Sequence, residues 1–423
     1  MTYQDALDFL YPLHRFGIKP GLERVEALLN LAGSPHKRLG LVIHVAGTNG
    51  KGTVAAALAS IFQAAGKKTA LYTSPHLVDF TERIRINGTQ ISREKVAQYC
   101  LFFKSGISKN HSTFFEATTA IAFAWFADEG VEVSIIETGM GGRLDATNVV
   151  DPRYVVIPSI GMDHTEWLGG TLALIAGEKG AIIKKGSRVF TAVSQPEAFE
   201  PLREMAERCD VPLFVAGRDS VATFLSPKPG EIQFDLKTAT RYYKALKAPL
   251  TGMFHVHNLT LAVMVSEDAG VAEKDIRSGL EGVLQTGYRG RLEMIATQPA
   301  VFLDVSHNSD GIRATVDTLC LFRQAYQRVF VLLGLASDKD AKAIVRELFR
   351  LECSFVLVNI LSERSVPAEK LALLCQQEGA EAIAFASGRE GLASLFERAG
   401  ADDLILVTGS FYLAGEIIAA GRS

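Results

Sequence analysis

The segment Val42-Ile-His-Val-Ala-Gly47-Thr48-Asn49-Gly50-Lys51-Gly52-Thr53 has residue types and spacing suited to holding phosphate groups. An apolar run enters a glycine-rich turn and continues into an alanine-rich stretch ending at Gly66, which reads as strand, turn and helix. Glycines let backbone N–H groups approach a phosphate, and the helix start favours an anion. Lys51 is placed to reach the β and γ phosphates, and Thr53 to bind Mg²⁺. The common G-x-x-x-x-G-K-[ST] spacing is broken, because Val45 stands at the first glycine position and Gly52 follows the lysine. The motif is therefore a variant with one extra residue. An ordinary glycine-rich βα turn is the alternative, and the placement of lysine and hydroxyl favours phosphate.

A second candidate is Glu137, at the end of the apolar run Val131 to Glu137 and before Gly-Met-Gly-Gly-Arg143-Leu144-Asp145-Ala146-Thr-Asn148. A carboxylate at the end of a buried strand beside a phosphate loop is placed to hold Mg²⁺ or orient a nucleophile. A helix cap or an ion pair with Arg143 is the alternative. Two further strands end in polar residues, at Thr73-Ser74-Pro75-His76 and Gly161-Met-Asp163-His164. Ligands in open α/β sheets bind at the carboxyl ends of strands, so Ser74, Glu137, His164 and the phosphate loop are expected to converge. Taken alone, His164 reads as a surface or hydrogen-bonded histidine and Glu178-Lys179 as a solvated ion pair. Further along, Asp304, His307 and Asn308 follow another apolar run. Asp304 is a candidate for a ribose hydroxyl and His307 for a phosphate or a developing charge, with capping of a helix near Ser309 as the alternative. Gly334 to Asp340 and Thr408-Gly-Ser410 follow strands in the same way.

These residues must be carried by alternating strands and helices. Strands are expected at Leu41 to Ala46, Lys68 to Thr73, Val131 to Glu137 and Tyr154 to Ile160. After Gly217, Ile232, Phe234 and Leu236 alternate with polar neighbours, which predicts a small antiparallel element, followed by a helix from Asn258 to Ala269. A second series is expected at Val301 to Val305, Val329 to Leu333, Phe355 to Asn359, Ala382 to Ala386 and Leu404 to Val407. The glycine-rich, basic stretch Gln285 to Arg291 separates the two. The fold class is α/β: a P-loop NTPase-like N-terminal domain (1–288) with the small antiparallel element, and a Rossmann-like C-terminal domain (289–423).

Composition excludes several function classes. With 44 Lys+Arg against 47 Asp+Glu, the net charge of −3 lacks the basic footprint of a nucleic-acid binder. No apolar run is long enough to span a bilayer, and the acidic N-terminus does not read as a secretory signal. Cys100, Cys209, Cys320, Cys353 and Cys375 are dispersed and form no CxxC pair, so a reducing cytoplasm, no zinc site and no disulfide framework are expected.

The chain resembles the bacterial folylpolyglutamate synthase/dihydrofolate synthase family, relatives of the Mur ligases. The resemblance rests on HVAGTNGKGT (44–53), TSPHL (73–77), ERIRING (82–88), TFFE (113–116), ETGMGGRLDATN (137–148), DHTEWLG (163–169), GEKGAIIK (177–184), HVHN (255–258), GRLE (290–293), DVSHNSDGI (304–312) and SDKD (337–340). Ser306 and Ser309 depart from the usual Ala and Pro of AHNPDG. The resemblance implies an ATP-dependent ligase joining L-glutamate to dihydropteroate or reduced folates through an acyl phosphate, with the active site in a cleft between the domains. It implies that Thr48, Asn49, Gly50, Lys51, Gly52, Thr53, Asn258, Arg291 and Asp304 meet ATP. Ser74 and Glu137 would hold one Mg²⁺, and Glu137, His164 and a carbamylated Lys179 a second. Thr113, Phe115, Arg143, Leu144, Asp145 and Ala146 would surround the pteroate, where an aromatic side chain suits a flat ring. His307 would contact the transferring phosphate, and the molecule would be a monomer. A Mur-type amino-acid ligase and a P-loop NTPase switch protein are the competing readings. A Mur-type ligase would ordinarily carry an additional N-terminal nucleotide-sugar domain.

Overall fold

Long apolar strands dominate because a sheet covered on both faces has no polar side to present. The computed structural model describes residues 1–17 and 21–421. The chain divides into two compact units. The first comprises Met1–Ala222, Leu236–Leu246 and His257–Tyr288; the second comprises Thr223–Asp235, Lys247–Val256 and the chain from Arg289 onward.

The first unit is built on β1 (Leu41–Val45), β2 (Thr69–Tyr72), β3 (Ile84–Ile86), β4 (Thr89–Gln90), β5 (Val133–Glu137), β6 (Tyr154–Ile157), β7 (Arg188–Thr191) and β8 (Leu213–Val215), in the order β4-β3-β2-β5-β1-β6-β7-β8. β1 lies between β5 and β6 and is parallel to both, with Val45 opposite Glu137 on one side and Val156 on the other. Every residue of β5 is buried, Glu137 included. Val42, Tyr72 and Ile136 join a core with the helices Arg93–Asn110 and Phe114–Asp128, while Val155 and Ile157 join another with Ile175, Ala176 and Leu202. The strand expected to run to Ile160 stops at Ile157, because Pro158 has no N–H to give the ladder.

A three-stranded sheet, β9 (Val221–Lys228), β10 (Glu231–Lys237) and β11 (Tyr242–Ala248), has β10 at its centre. Ile232, Phe234 and Leu236 are its buried positions, as the alternation predicts. The helix expected from Asn258 begins earlier, spanning Phe254–Asp268.

The second unit carries β12 (Glu293–Thr297), β13 (Ala300–Leu303), β14 (Val329–Leu333), β15 (Cys353–Val358), β16 (Ala382–Phe385) and β17 (Leu404–Thr408), in the order β12-β13-β17-β14-β15-β16. All pairs are parallel except β12 with β13. Glu293 to Thr297 was not marked as a strand by the sequence. Its burial is only partial, so it lacks the apolar run that announces the inner strands.

Candidate functional site

In the first unit, β1 leads through Ala46–Gly50 into the helix Lys51–Ala64. Gly50 sits before the helix with φ +87°, and a Cβ there would lie 2.4 Å from the Asn258 side-chain oxygen. Only glycine lets the loop take that shape against Asn258. The loop is pinned to the chain after β6. Thr48 N–H donates to the Ser159 carbonyl (2.9 Å), Asn49 N–H to Ser159 Oγ (3.0 Å), and Gly161 N–H to Thr48 Oγ1 (3.0 Å). Nothing in the residue type of Ser159 announced that role. Thr53 is buried at the start of the helix, its hydroxyl 2.5 Å from that of Tyr288.

Two lysines converge on one carbonyl. Lys51 Nζ donates to Gly47 O (3.0 Å) and Thr48 O (3.3 Å), and Lys179 Nζ also donates to Gly47 O (3.0 Å). Lys179 is not the solvated member of an ion pair that its sequence context suggests. Ile175, Ala176, Lys179 and Gly180 form the buried face of the helix Leu172–Gly180, a spacing of three and four that the sequence already contained. Burial, and then the charge of Lys51, pull its ammonium down to about 7, opposed by Asp163 and Asp145. Its neighbour Glu178 pairs instead with Arg143, at 2.8 Å.

Glu137 ends β5, almost fully buried, with the Ser74 N–H 3.4 Å from its Oε2. Carboxylate and hydroxyl oxygens suit a hard cation such as Mg²⁺, whereas a lysine amine does not. His164 lies before the short helix Thr165–Leu168 with φ +51°, its Nε2 3.9 Å from Asp163 Oδ2 and its side chain partly exposed. Among the described residues, no three His, Cys, Asp or Glu side chains form a group that could hold a metal ion. A cation here must draw on other donors, such as the Ser74 hydroxyl.

The loop after β5 is rigidly built. Asp145 Oδ2 accepts from Gly139 N–H (2.8 Å) and Met140 N–H (2.9 Å), and its Oδ1 from Thr147 N–H (3.0 Å). Its carboxylate is thereby committed to the loop. Thr113 likewise caps the helix Phe114–Asp128, in a capping box with Glu116. The T-x-x-E spacing of TFFE carried that signal. Glu116 is buried and paired with Arg24 at 2.9 Å. Phe115 lies on the face of Gly139, where a Cβ would come within 2.6 Å of the ring, and its centroid is 5.9 Å from that of Tyr72. Leu144 is half-buried and Ala146 buried; the Arg143 side chain is exposed.

In the second unit, Arg291 lies over the Phe411 ring (4.8 Å), and His307 is 5.7 Å from the same ring. His307 Nδ1 is 2.9 Å from the Val305 carbonyl, which can only accept, so Nδ1 carries a proton and donates there. Asp304 is fully buried, accepting from Leu292 N–H (3.1 Å), Ser306 N–H (3.2 Å) and Thr315 Oγ1 (2.8 Å). These bonds tie β13 to its surroundings, in contrast to an exposed carboxylate reaching for a ribose. The helix Ser309–Cys320 is capped by Asn308, not by Asp304 or His307.

The Mur ligase middle domain model matches residues 45–266, and the Mur ligase glutamate ligase domain model matches 290–411. The chain is 34% identical to the dihydrofolate synthase/folylpolyglutamate synthase of Bacillus subtilis over 98% of each chain. Among solved structures, Escherichia coli FolC in complex with DHPP and ADP superposes with a TM-score of 0.91 at 29% identity, covering 100% of this chain and 99% of that one. Mycobacterium tuberculosis folylpolyglutamate synthase complexed with ADP gives 0.89 at 30% identity, over 98% of each. With a phosphate loop on β1, a buried glutamate ending β5 and both Mur ligase domains in succession, the chain belongs to the dihydrofolate synthase/folylpolyglutamate synthase family of Mur ligases.

Proposed function

We propose that the protein is an ATP-dependent ligase that joins L-glutamate to dihydropteroate, to reduced folates, or to both. The observation that carries this reading is the parallel pairing of β1 with β5, which places the phosphate loop and the Gly139–Asn148 loop at the ends of neighbouring strands. A phosphate donor and a flat aromatic acid would be held side by side, as coupling a carboxylate to ATP requires. The relatives named for dihydrofolate and folylpolyglutamate synthesis, and the FolC structure with DHPP and ADP, support it.

A carboxylate is a poor electrophile. Its oxygen attacks the γ-phosphorus of ATP, ADP leaves, and an acyl phosphate results. The glutamate amine then attacks the acyl carbon, and the tetrahedral intermediate collapses with loss of phosphate and a proton. Lys51 neutralises charge on the phosphates, while the backbone of Thr48 to Gly52 cradles them. Ser74 and Glu137 would hold one Mg²⁺, and Glu137, His164 and a carbamylated Lys179 a second; when bound, such ions neutralise the charge of the transferring phosphoryl group. The near-neutral poise of Lys179 supplies the uncharged amine that carbamylation needs. Phe115, with Leu144 and Ala146, would face the pterin ring, and Arg143 its surroundings. Asn258, Arg291 and Asp304 belong on the nucleotide side, where Asp304 acts by fixing the strand end. His307, with Nδ1 donating to Val305, would donate to phosphate or intermediate from Nε2 as a doubly protonated ring. Five free thiols suit a reducing cytoplasm, and we take the enzyme to act as a monomer.

The test is purified protein with ATP and radiolabelled glutamate, offering dihydropteroate and tetrahydrofolate separately. Label should enter product, and phosphate should be released, only when glutamate and one acceptor are both present. Lys51→Ala and Glu137→Ala should fold and lose at least about 100-fold in ligation. Phosphate release that depends on a protein partner instead would sink the reading in favour of a switch protein.

A further inference from the structure

We propose that His44 is a positioning residue that, from the strand carrying the phosphate loop, sets the seat of the aromatic acceptor through a buried hydrogen-bond ladder. The proposal rests on the reading that the Gly139–Asn148 loop receives the acceptor.

The ladder has one polarity. Asp145 accepts on both oxygens, from Gly139 and Met140 N–H on one and from Thr147 on the other. The Thr147 hydroxyl also donates to Asp145 Oδ1, so its lone pairs face His44. His44 Nε2 lies 2.8 Å from that hydroxyl and therefore carries the ring proton. His44 Nδ1 is left bare, fully buried and without a hydrogen-bond partner among the described residues. An unpartnered buried nitrogen is costly. Its neighbours Val42, Ile43 and Val45 show that an aliphatic side chain is what this strand otherwise accommodates. The compensating gain is the single bond to Thr147, which places the end of the ladder at Gly139, the residue against which the Phe115 ring lies. His44 stands on β1 only a few residues before Gly47, so the ladder ties the phosphate loop's own strand to the face of the acceptor seat.

The prediction separates acceptor binding from nucleotide binding. His44→Leu and Thr147→Val should each raise the acceptor KM about tenfold, the effect of one buried hydrogen bond, while kcat and ADP affinity stay within about twofold. The double variant should be no worse than either single one, because both break the same ladder. His44→Gln, which keeps an amide donor near the Nε2 position, and Thr147→Ser should restore the wild-type KM. Those two conservative variants also decide the matter if His44→Leu fails to fold. An unchanged acceptor KM in folded His44→Leu and Thr147→Val, or an ADP Kd that rises in step with KM, overturns the proposal. Failure of the wild-type chain to ligate either acceptor would instead overturn the folate reading, and this assignment with it.

Discussion

Lys179 lies on the buried face of the helix Leu172–Gly180. Lys179 donates to the same carbonyl as Lys51, and two ammonium groups so close are a poor ground state unless one loses its charge. Its pKa falls from the usual 10.5 to about 7, so above that value the folded chain has shed a proton that the unfolded chain retains. Stability contributed by this site therefore rises with pH between about 7 and 10.5, and the penalty is fully present below it. Lys179→Met removes the titration. The melting midpoint of the wild type should gain on that of the variant as pH is raised from about 7 to 9. Ligation should fall in bicarbonate-free buffer and return when bicarbonate is added. Full activity of Lys179→Met, with no mass increment on the wild type, would remove the carbamate.

At the scale of elements, the inner strands were legible because continuous apolar runs mean burial on both faces, and β1, β5, β14 and β17 lie within a residue or two of their expected bounds. The short strands β7 and β8 and the outer β12 were not, since too few residues repeat to establish a period. The site was legible as a set of polar residues at strand ends, but not in how each side chain is used. Asp145, Thr113 and Asp304 all hold backbone in place, because a sequence shows a carboxylate or hydroxyl without showing which N–H groups the fold will bring to it. The Thr113–Glu116 cap illustrates the energetic weight of such supports. Arg24→Ala would leave Glu116 buried without its Arg24 ion pair, and should cost about 3 kcal/mol in denaturant unfolding. A loss under about 1 kcal/mol would show that Thr113 N–H alone satisfies the carboxylate.

Across the whole molecule, the net charge of −3 conceals local positive charge at Lys51 and Arg143 in one unit and Arg291 in the other. Among the described residues no helix is long and apolar enough to cross a membrane. Two Mur ligase domain models match the chain in succession, over residues 45–266 and 290–411.

The place of β1 in its sheet bears on how the molecule is made. Its neighbours β5 and β6 are encoded far downstream, and Ser159, which clamps the phosphate loop, later still. A ribosome adding about 5–20 residues per second needs on the order of ten seconds to travel from β1 to Ser159. Until β5 has been made the Leu41–Val45 run has neither flank paired, and until β6 has been made only one, so the newborn chain is exposed to wrong association just where its most demanding loop will form. A chain ending at Asp151 should accordingly show no ADP binding by calorimetry; binding at full-length affinity would mean that β1 and β5 suffice.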